Sequence, residues 1–462
     1  MSEQTLGEAG LKASPQCASA QLPSQSEATK VWLRIGCLSF GGPAGQIALL
    51  HREVVDERRW ISDRRFLHAL NFCSLLPGPE AQQLATYLGW LLHGAKGGLI
   101  AGMLFIVPGA LVMLALSAIF VIAGDVPAVA ALFFGLKCAV LIIVFEALLR
   151  VARRALKGRV PWVLAAAAFA ALFVFSVPFP AVVLLAALVG ACAPALFSGA
   201  SHGDAKEGPP AILDAVMAAD PGYAKGLAKS AKRAGLIALA VWLVPVAALL
   251  PLAGVYSDVA WFFSKMAVVT FGGAYAVLTY VAQEAVEGYA WLSAAEMLTG
   301  LGLAETTPGP LILVLQFVGF LAGYGAGSGL SGLAGGLVAS LLTLWVTFAP
   351  CFAFVFLGAP AIEQLQEKRA LAGALAAITA AVVGVIANLA LWFGLRVIFK
   401  EMQPLELGRL SLDLPVLQSL DAPALVIALI ASVALFRFKL GVLKTLSLCS
   451  LAGLLLKVGA GL

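Results

Sequence analysis

The chain is 462 residues long, 61% hydrophobic and only 12% charged, with a mean hydropathy of +0.96, a composition that excludes a soluble domain of this size. Its formal charge of +5 comes from Lys and Arg gathered in a few short loops, which reads as membrane orientation and not as a nucleic-acid footprint. Four histidines without HExxH spacing, seven cysteines without CxxC spacing, and no P-loop, GxSxG or GxGxxG motif leave no metal centre, cofactor or catalytic machinery to expect.

In chain order, residues 1–30 are polar and mixed in charge without an apolar h-region, and read as a disordered tail, not a cleaved signal. Thirteen apolar segments follow, at about 31–50, 66–92, 97–123, 127–149, 160–177, 179–198, 234–254, 258–281, 297–324, 329–358, 370–396, 422–437 and 440–461. Runs such as Gly98 to Ala123 have the length of membrane helices, not of barrel strands. A polar linker at 199–233 separates a first repeat, 31–198, from an extra linking segment, 234–257, and a second repeat, 258–462.

The two repeats match at a fixed offset of 231 residues without a gap. Arg34 falls on Lys265, Phe40-Gly41-Gly42 on Phe271-Gly272-Gly273, Glu53 on Glu284, Trp60 and Ser62 on Trp291 and Ser293, and Pro77-Gly78-Pro79 on Pro308-Gly309-Pro310. Between Ser39 and Pro79, 12 of 41 positions are identical in the second copy, concentrated in Gly, Pro, Trp and Glu and not in interchangeable Leu, Ala and Val. Interrupted helices at matched places in two halves mark a secondary transporter.

Seven apolar segments precede the second copy and none the first, so copies whose segments all cross face opposite ways. The loop from His51 to Arg65 holds Arg52, Arg58, Arg59, Arg64 and Arg65, whereas Ala282 to Glu296 has three Glu and no Lys or Arg. By the positive-inside rule the first is cytoplasmic and the second is not. Reading the break-bearing segments as re-entrant hairpins places every basic loop inside, including 150–159. The expected fold is therefore an all-α polytopic membrane protein of two inverted-topology repeats, with nine crossings, four re-entrant hairpins, a cytoplasmic N-terminus and an external C-terminus. Conventional tilted crossings are the plainer alternative.

Pro77 and Pro79 lack a backbone N–H and clash with the preceding turn, so the motif ends one helix and lets another begin. Unpaired backbone at membrane depth persists only where protein or a polar cavity surrounds it, and a half-helix N-terminus there attracts anions. Pro77, Gly78, Pro79, Pro308, Gly309 and Pro310, with Thr306 and Thr307, are thus candidate substrate contacts; a structural kink is the alternative. Gly41, Gly42, Gly272 and Gly273, preceded by the hydroxyls of Ser39 and Thr270, serve either the site or helix packing. Arg34 and Lys265 are cations inside apolar segments, placed either to neutralise an anion or to snorkel. Gln82, Gln83 and Gln316 can donate to an oxyanion, and Lys137 can meet either Glu146 or the anion. Glu80, Glu146 and Glu305 are candidate proton-coupling acids or helix-end partners, while Glu53, among arginines, reads as a loop ion pair.

At these residues the chain resembles a long-chain, two-domain member of the chromate ion transporter family. The resemblance rests on Ser39-Phe40-Gly41-Gly42-Pro43-Ala44-Gly45, Arg59-Trp60-Ile61-Ser62, Leu76-Pro77-Gly78-Pro79, Thr270-Phe271-Gly272-Gly273 with Tyr275, Ala304 through Gln316, and Thr347-Phe348-Ala349-Pro350-Cys351, and covers about 30–400. It implies an inner-membrane carrier embedded in the lipid bilayer that expels chromate, driven by the proton gradient or membrane potential, and confers chromate resistance. Sulfate is the competing tetrahedral oxyanion, and a membrane scaffold or lipid-handling protein is the reading from another class. The oligomeric state is left open, a homodimer being one option. The family favours an amide three residues before Pro-Gly-Pro, where this chain has Ser74 and Glu305, a departure that bears on substrate choice.

Overall fold

The computed structural model describes residues 21–175, 177–197, 211–220, 222–271, 274–327, 329–361, 369–407 and 410–459. The first half comprises α1 (Gln25–Leu38), α2 (Gly42–His51), α3 (Asp63–Cys73), α4 (Glu80–Ala123), α5 (Pro127–Ala155), α6 (Arg159–Phe173) and α7 (Phe179–Cys192). A short α8 (Ile212–Ala219) and the long α9 (Tyr223–Leu249) lead to the second half. This half comprises α10 (Val255–Val269), α11 (Ala274–Gln283), α12 (Ala294–Thr306), α13 (Val314–Tyr324), α14 (Gly332–Gly358), α15 (Arg369–Ile398), α16 (Ala422–Ser432) and α17 (Val442–Gly459).

Five stretches among the described residues are long and apolar enough to cross a membrane: α4, α5, Gly226–Leu252 of α9 and its extension, α14 and α15. Both halves run through the same series. The segments carrying the breaks are each two helices, α1 with α2, α3 with the start of α4, α10 with α11, and α12 with α13. Helix α4 is itself interrupted at His93 (φ −138°, ψ 26°) and Gly94 (φ 62°, ψ −157°), which separates 80–92 from 95–123 as the sequence segments do.

The repetition reaches individual backbone bonds. Helix α2 ends in a π-helical turn, Arg52–Glu57, and α11 in another, Glu284–Gly288. Each is followed by a residue at φ 51°, Arg59 or Ala290, and closed by the same bond, Trp60 N to Val54 O at 2.9 Å and Trp291 N to Ala285 O at 2.8 Å. Ser293 and Glu296 then form a reciprocal capping box that starts α12.

The halves exchange their terminal hairpins. Helices α6 and α7 pack on α15 of the second half, and α16 and α17 pack on α5 of the first. Small residues allow these crossings: a Cβ on Gly190 would stand 2.2 Å from the Gly373 carbonyl oxygen, and one on Gly453 2.5 Å from that of Ala131. Among the described residues α9 has no counterpart in the other half.

Three features depart from the sequence reading. Helix α1 starts at Gln25, capped by the Ser24 hydroxyl accepting from Glu27 N at 3.2 Å, inside the stretch expected to be a disordered tail; residues 1–20 lie outside the described residues. The chain is not wholly helical, because β1 (Met402–Leu407) and β2 (Leu410–Pro415) pair antiparallel between α15 and α16. Their sequences alternate apolar and polar residues with the period of a strand, which overrides the helical expectation. The linker holds structure too: α9 begins at Tyr223, and ahead of it Ile212 N and Leu213 N donate to Arg59 O and Trp60 O, both at 3.0 Å, while Asp214 pairs with Arg65.

Candidate functional site

The breaks of the two halves meet and complete each other. A helix that ends at Leu38 leaves carbonyls without intrahelical partners, and in Pro77-Gly78-Pro79 only the glycine retains an N–H. Gly309 N donates to Ser39 O at 2.9 Å, and Gly78 N donates to Thr270 O at 2.8 Å. These bonds are the same bond made twice, each linking the Pro-Gly-Pro of one half to the helix end of the other. Gly78 (φ 123°) and Gly309 (φ 90°) occupy backbone that other residues rarely adopt. Gln46 seals one crossing, its amide nitrogen donating to Gly309 O at 2.6 Å. Gln83 seals the other, donating to Pro77 O at 2.7 Å.

Beyond each crossing a helix starts without a side-chain cap, α4 at Glu80 after Pro79 and, after Pro310, a three-residue 3-10 turn, Leu311–Leu313, that leads into α13. Ala81, Gln82, Leu311 and Ile312 are buried, so two uncapped, positively polarised helix ends lie in the protein interior. Gln82 donates to Thr86 Oγ1 and Gln316 to Ala110 O, both at 3.0 Å. Apolar residues including Pro77, Phe271 and Val183 line a cleft of about 620 Å³ beside the first crossing.

The hydroxyls are less available than their sequence positions imply. Ser39 Oγ donates back to Ile35 O at 2.5 Å, Thr270 Oγ1 does the same to Met266 O, and Thr306 and Thr307 donate to Leu303 O and Ala304 O at 2.8 and 2.9 Å. Gly41 and Gly42 carry positive φ of 88° and 69°, whereas Gly272 and Gly273 lie outside the described residues. Arg34 has a 54% exposed side chain whose Nε stands 3.5 Å from Glu53 Oε1. Glu53 is fully buried and accepts from Arg58 Nη1 at 2.5 Å, the ion pair its surroundings foretold. Lys265 Nζ lies 5.8 Å from the Trp261 ring centroid, a cation–π arrangement.

Two of the three flagged acids gather on α5 and α12, which pack together. Buried Glu305 accepts from Tyr275 Oη, and Glu146 takes a two-pronged contact from Arg150, whose field reaches Glu305 and Tyr275. Glu146 pairs with Arg150 and not Lys137, because one helical turn brings side chains together and nine residues separate them by about 13 Å. Lys137 Nζ instead lies 5.6 Å from the Phe134 ring centroid. Glu80, half-buried, forms no ion pair among the described residues. Sequence reasoning missed Gln46 and Arg150; an amide among small residues at a helix break was the signal for the first, and the (i, i+4) spacing from Glu146 for the second.

A model of a protein family described as chromate transporter matches residues 26–191 and 257–455, two stretches that begin 231 residues apart and each hold one copy of the breaks. A chromate transport protein of Pseudomonas aeruginosa is 34% identical over 77% of this chain and 77% of its own length. A probable chromate transport protein of Synechococcus elongatus is 26% identical over 79% and 83%, and a chromate transport protein of Cupriavidus metallidurans 26% over 77% and 79%. No solved structure matches the chain.

Proposed function

Since the chain belongs to the chromate transporter family, we propose that it is a gradient-driven carrier that exports chromate across the bacterial inner membrane and so confers chromate resistance. It is a transporter and not an enzyme. The membrane potential, negative inside, drives an anion outward, and a proton gradient acts in the same direction through Glu80, Glu146 and Glu305. The observation that carries the reading is the reciprocal pair of bonds, Gly309 to Ser39 and Gly78 to Thr270. Each bond sets the Pro-Gly-Pro of one half, and the uncapped helix start beyond it, against the helix end of the other half, where backbone N–H groups can receive an oxyanion.

Alternating access follows if the halves have inverted topology. Three long helices, the second part of α4, α5 and α9, separate the first copy of the breaks from the second, an odd number. Helices α6 and α7, of 15 and 14 residues, are about 22 Å long and shorter than a hydrocarbon core of about 30 Å, which favours a re-entrant hairpin in place of the two full crossings expected from the sequence and leaves the count between the copies odd either way. The N-terminus and the arginine-rich 51–65 loop are then cytoplasmic. Sulfate, a tetrahedral dianion of similar shape, is the competing substrate.

Everted membrane vesicles energised by respiration test the reading. Vesicles carrying the chain should accumulate chromate above empty ones and lose it on dissipation of the gradient. Accumulation equal to that of empty vesicles would return the substrate to unknown.

A further inference from the structure

We propose that α9 and the end of α14 bind one acidic phospholipid, its headgroup phosphate on Lys229, Lys232 and Arg233 and an acyl chain along Leu236, Ile237 and Leu357. The site lies apart from the crossing, and its occupancy does not depend on the cargo.

Two antiparallel helices of unequal reach build the cleft. Gly235 lets α9 lie against α14, since a Cβ there would stand 2.6 Å from Leu357 Cγ, and further along α9 the Trp242 ring meets that of Phe354 at 6.1 Å. Helix α14 ends at Gly358, directly after Leu357, whereas α9 extends back from Gly235 to Tyr223. The step leaves a cleft of about 800 Å³ lined by these three cations and three apolar side chains, within the roughly 300–1,000 Å³ of small-molecule sites. Positions 229, 232, 233, 236 and 237 recur at helical spacing and share one face of α9. That face changes along its length: cations occupy the turns toward the end of α14 and beyond it, and apolar side chains follow them toward the middle of the helix. A phospholipid has the same order, phosphate first and acyl chain after.

The charges call for an anion and the wall below them calls for hydrocarbon. Lys229, Lys232 and Arg233 are exposed and make no ion pair among the described residues, and none of the described residues lining the cleft is acidic. Like charges three and four residues apart repel, and a phosphate among them removes that repulsion. Leu236 and Ile237 are 53% and 54% exposed, and the α9 stretch is the least buried of the five long apolar ones. A soluble anion gains nothing from such a wall, and a second copy packed on this face by a two-fold axis would bring like charges together. The start of α9 lies on the side of the 51–65 loop, because α8 just ahead of it bonds to Arg59 and Trp60. In the topology proposed above that side is cytoplasmic, where basic pockets between helices attract anionic headgroups.

The purified full-length chain in neutral detergent, titrated with phosphatidylglycerol or with phosphatidylcholine of the same acyl chains, tests this by native mass spectrometry of bound lipid and by the unfolding temperature. One phosphatidylglycerol should bind about tenfold or more tightly than phosphatidylcholine and raise the unfolding temperature, and free glycerol 3-phosphate should not displace it. The double variant Lys232→Gln/Arg233→Gln should lose the preference. Both side chains are exposed, so its unfolding temperature in phosphatidylcholine should match that of the parent. The double variant Arg153→Gln/Lys157→Gln, which removes two exposed cations elsewhere, should keep the preference. Equal binding of the two lipids, a preference that survives Lys232→Gln/Arg233→Gln, or equal loss in both double variants would overturn the inference. Displacement by glycerol 3-phosphate would make the cleft a soluble-anion site, and a dimer dissociated by Ile237→Trp would assign the face to a second copy; either result also overturns it. None of these outcomes bears on chromate accumulation in vesicles, which tests the carrier reading separately.

Discussion

Gly78 and Gly309 each perform two tasks: they donate the only N–H of a Pro-Gly-Pro motif, and they hold a positive φ. Alanine at such a φ costs about 1–2 kcal/mol, and at Gly78 its Cβ would also press on Gln83 and Cys351. Gly78→Ala should therefore lower the unfolding temperature and chromate accumulation more than Gly41→Ala. Gly41 shares a positive φ of 88° but has nothing within 4 Å of a Cβ. Thermal unfolding in detergent and vesicle uptake check the order. At Glu53 the fully buried carboxylate depends mainly on Arg58, with Arg34 half in solvent. Glu53→Ala should destabilise by roughly 3–5 kcal/mol through the buried charge pair it breaks, and Arg34→Ala by about 1 kcal/mol or less, measured by denaturant unfolding. Duplication made the glycines and prolines legible, since each recurs at one offset. The Arg34 pairing was not, because its partner lies 19 positions on, across a break and a π-helical turn that no helical spacing anticipates.

At the scale of elements, the π-helical endings of α2 and α11 are closed by non-glycine residues in left-handed backbone, Arg59 and Ala290. Ala290 is exposed, so Ala290→Gly should relieve about 1 kcal/mol of backbone cost and raise the unfolding temperature without altering transport. The start of α8 adds two backbone bonds and the fully buried Leu213 to the turn at Arg59 and Trp60. Leu213→Ala should cost about 2–5 kcal/mol locally, read as faster hydrogen exchange across residues 211–220. The broken helices were legible because proline and glycine interrupt apolar runs. The β1–β2 ribbon was legible in principle, through the alternation of Leu405-Glu406-Leu407 and Leu410-Ser411-Leu412-Asp413-Leu414, but the surrounding apolar helices masked so short a signal. The docking of α8 was not legible, since backbone bonds between residues 59–60 and 212–213 leave no mark in local pattern.

Across the whole molecule, each half lends its terminal hairpin to the other and its helix end to the other's Pro-Gly-Pro, so neither completes the centre alone. The single helix α9, without a counterpart among the described residues, gives the proposed topology its odd number of crossings and would turn the second half over. Motion of one half against the other, as the proposed carrier requires, would act on the two reciprocal bonds that join the halves at the proposed site. Single cysteines placed in 51–65 and in 282–296 of a chain with its native cysteines replaced, labelled by a membrane-impermeant thiol reagent in right-side-out and everted vesicles, test the opposed halves most directly. Labelling of 51–65 only in everted vesicles and of 282–296 only in right-side-out vesicles is the predicted result. Labelling of both loops from the same side would contradict it.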